Sequence, residues 1–232
     1  MKLHADLGIN ACVHGGDLPW MPSPSPGVER RMLYPDGEES AIATSIVRYA
    51  PGSRFHRHAH PGGEEFVVLE GTFSDEHGTY PAGHYVRNPH GSSHAPASDE
   101  GCVIFVHLRQ MPMDDSTFVR LSMTEALAGS ERDASGFRRA SLHRTRHEHV
   151  EIQAWPAGAA VGMTLTAGGE CFVLDGDFVL HNPAPPERFE RWSWLRLAPG
   201  ERLSATSGPR GCRLWIKTGH LTPAPLPSSD IA

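Results

Sequence analysis

Apolar and polar positions alternate with period two along most of the chain. The segments Ala41-Ile42-Ala43-Thr44-Ser45-Ile46-Val47-Arg48-Tyr49, Glu65-Phe66-Val67-Val68-Leu69 and Cys102-Val103-Ile104-Phe105-Val106-His107-Leu108 read as strands. Breakers stand between them, at Ala50-Pro51-Gly52, Pro61-Gly62-Gly63 and Pro81-Ala82-Gly83. Strand signals roughly ten residues apart predict a sandwich or barrel. The best helix signal is Ser122-Met123-Thr124-Glu125-Ala126-Leu127-Ala128-Gly129, with Ser122 as N-cap, Glu125 three residues on and a glycine stop. The polar run from Gly129 to Arg139 reads as a linker. The proline-rich stretch from Leu18 to Gly27 is expected to be extended, because proline blocks both a helix and an interior ladder.

The chain repeats itself. Gly62-Gly63-Glu64 corresponds to Gly168-Gly169-Glu170, and Phe66-Val67-Val68-Leu69-Glu70-Gly71 to Cys171-Phe172-Val173-Leu174-Asp175-Gly176. Further on, Tyr85-Val86-Arg87-Asn88 pairs with Trp194-Leu195-Arg196-Leu197, and Gly101-Cys102 with Gly211-Cys212. Two copies of one all-β fold follow: a leading unit over 1–118, a linker with a short helix over 119–140, and a trailing unit over 141–232.

Composition removes several function classes. Lys+Arg of 21 against Asp+Glu of 27 leaves a formal charge of −6, which offers no footprint for nucleic acid or an anionic membrane. No stretch reaches the ~18 apolar residues of a membrane span, and the start lacks a secretory apolar core, so a cytoplasmic setting is expected. The four cysteines are scattered, with no C-x-x-C pair, which argues against a zinc ribbon or a disulfide scaffold. With 24 glycines and 20 prolines, tight turns abound. The 15 histidines are the unusual number, and their placement carries the chemistry.

The leading copy reads Gly52-x5-His58-x-His60-x3-Glu64-x6-Gly71, then Gly83-x5-Pro89-x-Gly91-x2-His94. Residues i and i+2 of a strand face one side, so His58 and His60 project together. The Pro61-Gly62-Gly63 turn lets Glu64 return toward the same interior, and His94 can close the fourth side. Three imidazoles and one carboxylate suit a borderline divalent metal. His56-x-His58 is an alternative register, though it breaks the glycine spacing. His77, His84 and His90, in or beside turns, read as surface histidines. Phe66 and Val68 share strand parity with Glu64 and are expected to line the pocket. Tyr80 and Tyr85 read as packed aromatics.

In the trailing copy, alignment on Gly-Gly-Glu puts Thr164, Thr166 and Glu170 where His58, His60 and Glu64 stand, and Leu203 takes the place of His94. That copy is expected to have lost the metal and to act as a packing partner. His147-x-His149 precedes the repeat anchor within a charged run and reads as a solvated strand.

Both glycine-histidine stretches resemble the two signature motifs of the cupin superfamily, departing only at Ser98, where the family carries an asparagine that is not a ligand. The phrases His60-Pro61-Gly62-Gly63-Glu64-Glu65, Leu69-Glu70-Gly71-Thr72-Phe73-Ser74-Asp75-Glu76 and Tyr85-Val86-Arg87-Asn88-Pro89 are similar to the cupin domain of ChrR-type anti-sigma factors and their bicupin relatives. The resemblance implies two tandem cupin barrels of the double-stranded β-helix (jelly-roll) kind. It also implies a metal bound by His58, His60, Glu64 and His94, with zinc first and Fe(II), Mn or Ni as alternatives. ChrR binds its sigma factor through a separate helical domain with an H-x3-C-x2-C zinc segment. This sequence holds no such segment, so sigma-factor binding is not implied.

Three readings stay open: a sensory or regulatory bicupin answering a small molecule or reactive oxygen, a non-haem metal dioxygenase, and a metal-stiffened structural module. The first is favoured. The partners expected are a small-molecule ligand and a second copy forming a homodimer, with neither nucleic acid nor membrane.

Overall fold

The computed structural model describes residues 4, 6–36, 42–182 and 185–221. Among these residues the strands gather into a ten-stranded sheet, an eight-stranded sheet and one two-stranded ladder. The alternating segments form strands Ile42–Tyr49, Glu64–Asp75 and Cys102–Leu108, side by side in the first sheet. The helix covers Met123–Ala128; the Ser122 side chain accepts the Glu125 backbone N–H at 3.2 Å, as the capping pattern requires. Among the described residues, no helix is long and apolar enough to cross a membrane. All four cysteines are free thiols.

The two large sheets have the same strand order. The first runs Val119–Ser122, His84–Asn88, Glu64–Asp75, Cys102–Leu108, Ile42–Tyr49, Val28–Asp36. The second runs Ala11–His14, Ser193–Leu197, Gly169–Leu180, Arg202–Thr218, His149–Trp155, Arg138–Arg144. Each edge strand is contributed by the segment that precedes the other repeat. Ala11–His14 pairs with Ser193–Leu197, and Val119–Ser122 pairs with His84–Asn88. The strands therefore do not part at residue 118: residues 11–14 join the second sheet and residues 119–122 the first.

Between the barrels lies an aromatic layer. Phe105 stacks on Phe172 with centroids 3.9 Å apart, and meets Trp215 edge-on at 5.3 Å. Such a pair adds about 0.5–1.5 kcal/mol beyond the area it buries. Around it sits a buried ionic layer. Glu65 accepts from Tyr85 at 2.6 Å, from Lys217 at 3.0 Å and from Arg87. Arg87 also reaches Asp115 at 2.7 Å and Glu148, and Asp115 lies 2.8 Å from His143. Glu170 receives Trp194 at 2.5 Å, His220 at 2.7 Å and His107 at 3.1 Å. Asp115, His143 and Glu148 are close enough to hold an ion, but Arg87 already supplies their positive charge.

Strand register corrects the sequence alignment of the copies. Glu65 pairs with His107 and Arg87, while Glu170 pairs with Lys217 and Arg196. Glu170 is thus the counterpart of Glu65, one residue away from the metal-ligand position expected for it. Gly63 and Gly168 occupy the same left-handed turn, with φ of 75° and 71°. The counterpart of Glu64 is then Gly169. His58 pairs with His94 as Met163 pairs with Leu203, so His58 corresponds to Met163 and His60 to Leu165, rather than to Thr164 and Thr166. The repeated Gly-Gly-Glu misled the alignment because the leading copy has two successive glutamates and the trailing copy two successive glycines.

Candidate metal centre

The turn after His60 brings the four expected residues together. His58 and His94 face each other in the two-stranded ladder His58–Ala59/Ser93–His94, and His60 follows immediately. Its carbonyl accepts the N–H groups of Gly63 and Gly91 at 3.1 and 3.0 Å, which closes the turn and starts strand Glu64–Asp75. One nitrogen from each of His58, His60 and His94 falls within 4.8 Å of the others. The Glu64 Oε2 atom lies 3.4 Å from His94 Nε2 and 3.7 Å from His60 Nε2. His56 is not in this cluster.

The surroundings fix which nitrogen His94 and His58 offer. A carboxylate only accepts, so the 3.1 Å contact from His94 Nδ1 to Asp75 Oδ2 puts the proton on Nδ1 and leaves Nε2 a lone pair. His58 Nδ1 donates to the His56 carbonyl at 3.1 Å with the same result. Asp75 is held in turn by the backbone of His77 and Gly78 and by the Tyr80 hydroxyl, at 2.8, 3.1 and 3.2 Å. Burial would raise its carboxyl, but the His94 ring, the His77 backbone and the Tyr80 hydroxyl outweigh it and keep the group below the usual range. Glu64 accepts from Asn88 at 3.1 Å, and Arg120 bonds both Asn88 and Tyr80, at 2.8 and 2.9 Å.

His94 and His60 are 1% and 5% exposed, yet the Nε2 atom of each has no hydrogen-bond partner. Burial, with the neighbouring imidazoles, lowers the pKa of His60 against the opposing pull of Glu64, which favours the neutral, ligating form. Two buried, unpartnered Nε2 atoms beside a carboxylate fit a divalent cation. Fit here means chemistry: a borderline nitrogen-rich donor set with one negative charge.

A cleft of about 710 Å³ opens beside the cluster. Its floor carries His58, His60 and Glu64; its walls carry Val28, Val47, Ile104 and Val106, with Arg30 and Arg109. Phe66 and Val68 face the barrel interior as their parity requires, but they pack into the core behind the centre rather than lining the cleft. Phe66 packs tilted against Phe73 with centroids 4.6 Å apart, and Phe73 backs His94 at 5.8 Å. Tyr80 and Tyr85 are buried, and their hydroxyls serve Asp75 and the interfacial Glu65. His84 bonds the Pro81 carbonyl, His77 lies beside Glu76, and His90 is exposed.

Sequence reasoning missed Asp75, Asn88 and Arg120. An Asp eleven residues after Glu64, at the far end of a long strand, gives no spacing signal. His149 is half-buried and lies beside Glu151 and Arg144, outside any cluster of three ligating groups among the described residues.

Known proteins agree with this architecture. No curated protein matches the sequence. The ChrR Cupin-like domain matches residues 10–112. Protein Ylba from E. coli is similar in structure, at 14% identity, 95% coverage of both chains and a TM-score of 0.72. The pirin YhhW from Escherichia coli, solved with nickel(II), is similar at 11% identity, covering 90% of this chain and 98% of its own, TM-score 0.65. A variant of salicylate 1,2-dioxygenase from Pseudoaminobacter salicylatoxidans is similar at 11% identity, covering 78% and 70%, TM-score 0.61. The leading repeat is thus similar to that cupin-like domain, and the chain as a whole shares the fold of these proteins.

Proposed function

We propose that the leading barrel is a metal-dependent small-molecule site, in which His58, His60, Glu64 and His94 hold one divalent ion at the floor of the cleft. The observation that carries this reading is the pair of buried, unpartnered Nε2 atoms on His60 and His94 beside Glu64. When bound, the ion supplies a Lewis-acidic centre whose net charge stays positive with a single anionic ligand. The chain's own groups orient the donors: Asp75 and the His56 carbonyl fix the imidazole tautomers, and Asn88 steadies Glu64. Only one barrel keeps the donors, and the other is locked to it through a buried interface. That asymmetry supports a sensory or regulatory bicupin, with zinc as the first candidate ion.

Metal-dependent oxygenation is the second reading, favoured by the cleft, which is roomy enough for an organic substrate beside the donors. Elemental analysis of protein purified without added metal or chelator tests both. Stoichiometric zinc, lost in His94→Ala, is the expected result. Stoichiometric iron with oxygen uptake on an added catechol or β-dicarbonyl would replace the sensory reading with the enzymatic one. No bound metal after zinc titration would end both.

A further inference from the structure

We propose that the cleft takes a small organic carboxylate and that Arg109 recognises it. The proposal deepens the metal-site reading and rests on it for the identity of this cleft as the working face of the barrel.

Equivalent positions in the two barrels differ at this turn. Arg109 has φ of 60°, a left-handed conformation that a long side chain rarely adopts. Its backbone N–H donates to the Gly63 carbonyl at 2.9 Å, as the N–H of Gly219 donates to Gly168 at 3.1 Å. The trailing barrel therefore places glycine, the residue suited to this conformation, where the leading barrel places arginine. Nothing in the turn itself calls for a guanidinium. Strain retained at a residue facing a cleft points to use.

The neighbouring residue has changed to make room. A Cβ on Gly62 would lie 2.7 Å from both the Cα and the Cβ of Arg109. Its counterpart in the trailing barrel is Ala167, so the leading barrel keeps a bare glycine beside its arginine where the trailing barrel has a side chain beside its glycine turn.

Electrostatics identify the ligand class. Arg30, Arg54 and Arg109 line the cleft, and Glu64 is the only acidic lining residue among the described residues. Arg54 is tied to Asp99 at 2.5 Å. No ion pair or side-chain hydrogen bond occupies Arg30 or Arg109 among the described residues. Two guanidiniums without carboxylate partners, over a wall of Val47, Ile104 and Val106, match an anionic head on an apolar body. A bare phosphate would leave that wall uncovered.

Isothermal titration with benzoate, phenylacetate and succinate tests this, with benzamide as the neutral analogue and inorganic phosphate as the competing anion. Each titration is run on zinc-loaded and on chelator-treated full-length protein. At least one carboxylate is expected to bind the unmodified protein, at least tenfold more weakly to Arg109→Gly, and within about threefold of normal to Arg109→Lys. Benzamide should not distinguish the variants. The melting temperature of Arg109→Gly should stay close to that of the parent, because relief of the conformation offsets the entropy glycine returns to the unfolded chain; a variant that fails to fold overturns the strain argument. Failure of all three carboxylates to bind, equal binding by Arg109→Gly, or Arg109-dependent binding of phosphate in preference to all three would each overturn the assignment. Direct zinc titration of the same samples reads the metal site separately. Arg109 dependence in chelator-treated protein can therefore stand even where the metal reading falls.

Discussion

The two barrels share a strand order and a set of turns, yet treat the same four positions in opposite ways. The leading barrel has His58, His60, Glu64 and His94; the trailing barrel has Met163, Leu165, Gly169 and Leu203. Hydrocarbon closes the second site, leaving a void of about 10 Å³ around Leu165 and Leu203, at the threshold for holding even one water. The counterpart of the cleft persists in the trailing barrel as a recess of about 450 Å³, lined by Met163 and by Glu151, Gln153 and Trp155, which stand where Ser45, Val47 and Tyr49 do; Gln153 bonds both Glu151 and Trp155. The difference shows how one jelly-roll can present unpartnered lone pairs in one copy and a packed core in the other. It is also hard to reverse: a Cβ on Gly169 would lie 2.8 Å from the Lys217 carbonyl oxygen, so a glutamate there would force the backbone to move.

The largest expected effect breaks the comparison outright. His94→Ala should abolish stoichiometric metal binding, read by elemental analysis after dialysis, because it removes a donor held on a buried, oriented ring. Leu203→Ala, at the matching position, should leave metal content unchanged and instead cost roughly 2–5 kcal/mol of stability in urea unfolding. Metal loss in both variants would show that the centre depends on the whole molecule rather than on one barrel.

Next in size is the contact between the barrels. Lys217→Met should cost roughly 3–5 kcal/mol, because it leaves Glu65 and Glu148 buried with less compensating charge. Acid should reach the same layer. Burial raises the carboxyl pKa of Glu65, but Lys217 and Arg87 override it and hold the group well below its ordinary range. Burial likewise opposes, and the Thr117 backbone and Arg87 outweigh, at Asp115, which falls to about 2. A depressed folded-state value contributes stability that is fully present above the unfolded value of about 4 and is lost as pH falls through the folded value. The urea midpoint should therefore decline from about pH 5 down to about pH 2, less steeply in Lys217→Met. A flat parent profile would show that these carboxylates are not held ionised by the cations.

A smaller effect separates the metal donors from their support. Asp75→Asn keeps the shape but no longer demands the proton on His94 Nδ1, and should weaken zinc affinity by about 10- to 100-fold while leaving stoichiometry intact. Competition against a chromogenic chelator reads the change. Unaltered affinity would make Asp75 a packing residue.

How much of this was legible beforehand follows from range. Period-two strands, the Ser122 cap and the His58/His60 pair are local patterns, and the structure bears the local elements out. The histidine–glutamate cluster was legible too, because turn glycines and prolines at fixed offsets mark where the chain doubles back. Asp75, Asn88 and Arg120 were not, since their roles depend on which strands become neighbours. The repeat register failed for a related reason: Gly168-Gly169-Glu170 looks like Gly62-Gly63-Glu64 as a string, and only the ladder partners His107 and Lys217 show that Glu170 belongs with Glu65. The reciprocal exchange of Ala11–His14 and Val119–Ser122 left no trace in either short segment.

The smallest expected effect returns to the paired turns. Gly219 has φ of 92°, and a Cβ there would lie 2.8 Å from the His147 carbonyl oxygen, so Gly219→Ala meets both a conformational and a steric penalty. It should cost about 1–2 kcal/mol in urea unfolding. Arg109→Gly, at the equivalent residue, relieves the conformation while giving unfolded-chain entropy back, and those contributions are of similar size and opposite sign. Its stability should therefore lie within about 0.5 kcal/mol of the parent. Unequal costs at matching positions are what two barrels with the same turn and different occupants require. If Arg109→Gly were instead the more damaging change, the arginine would be holding its barrel together, and the left-handed conformation would be the consequence of packing.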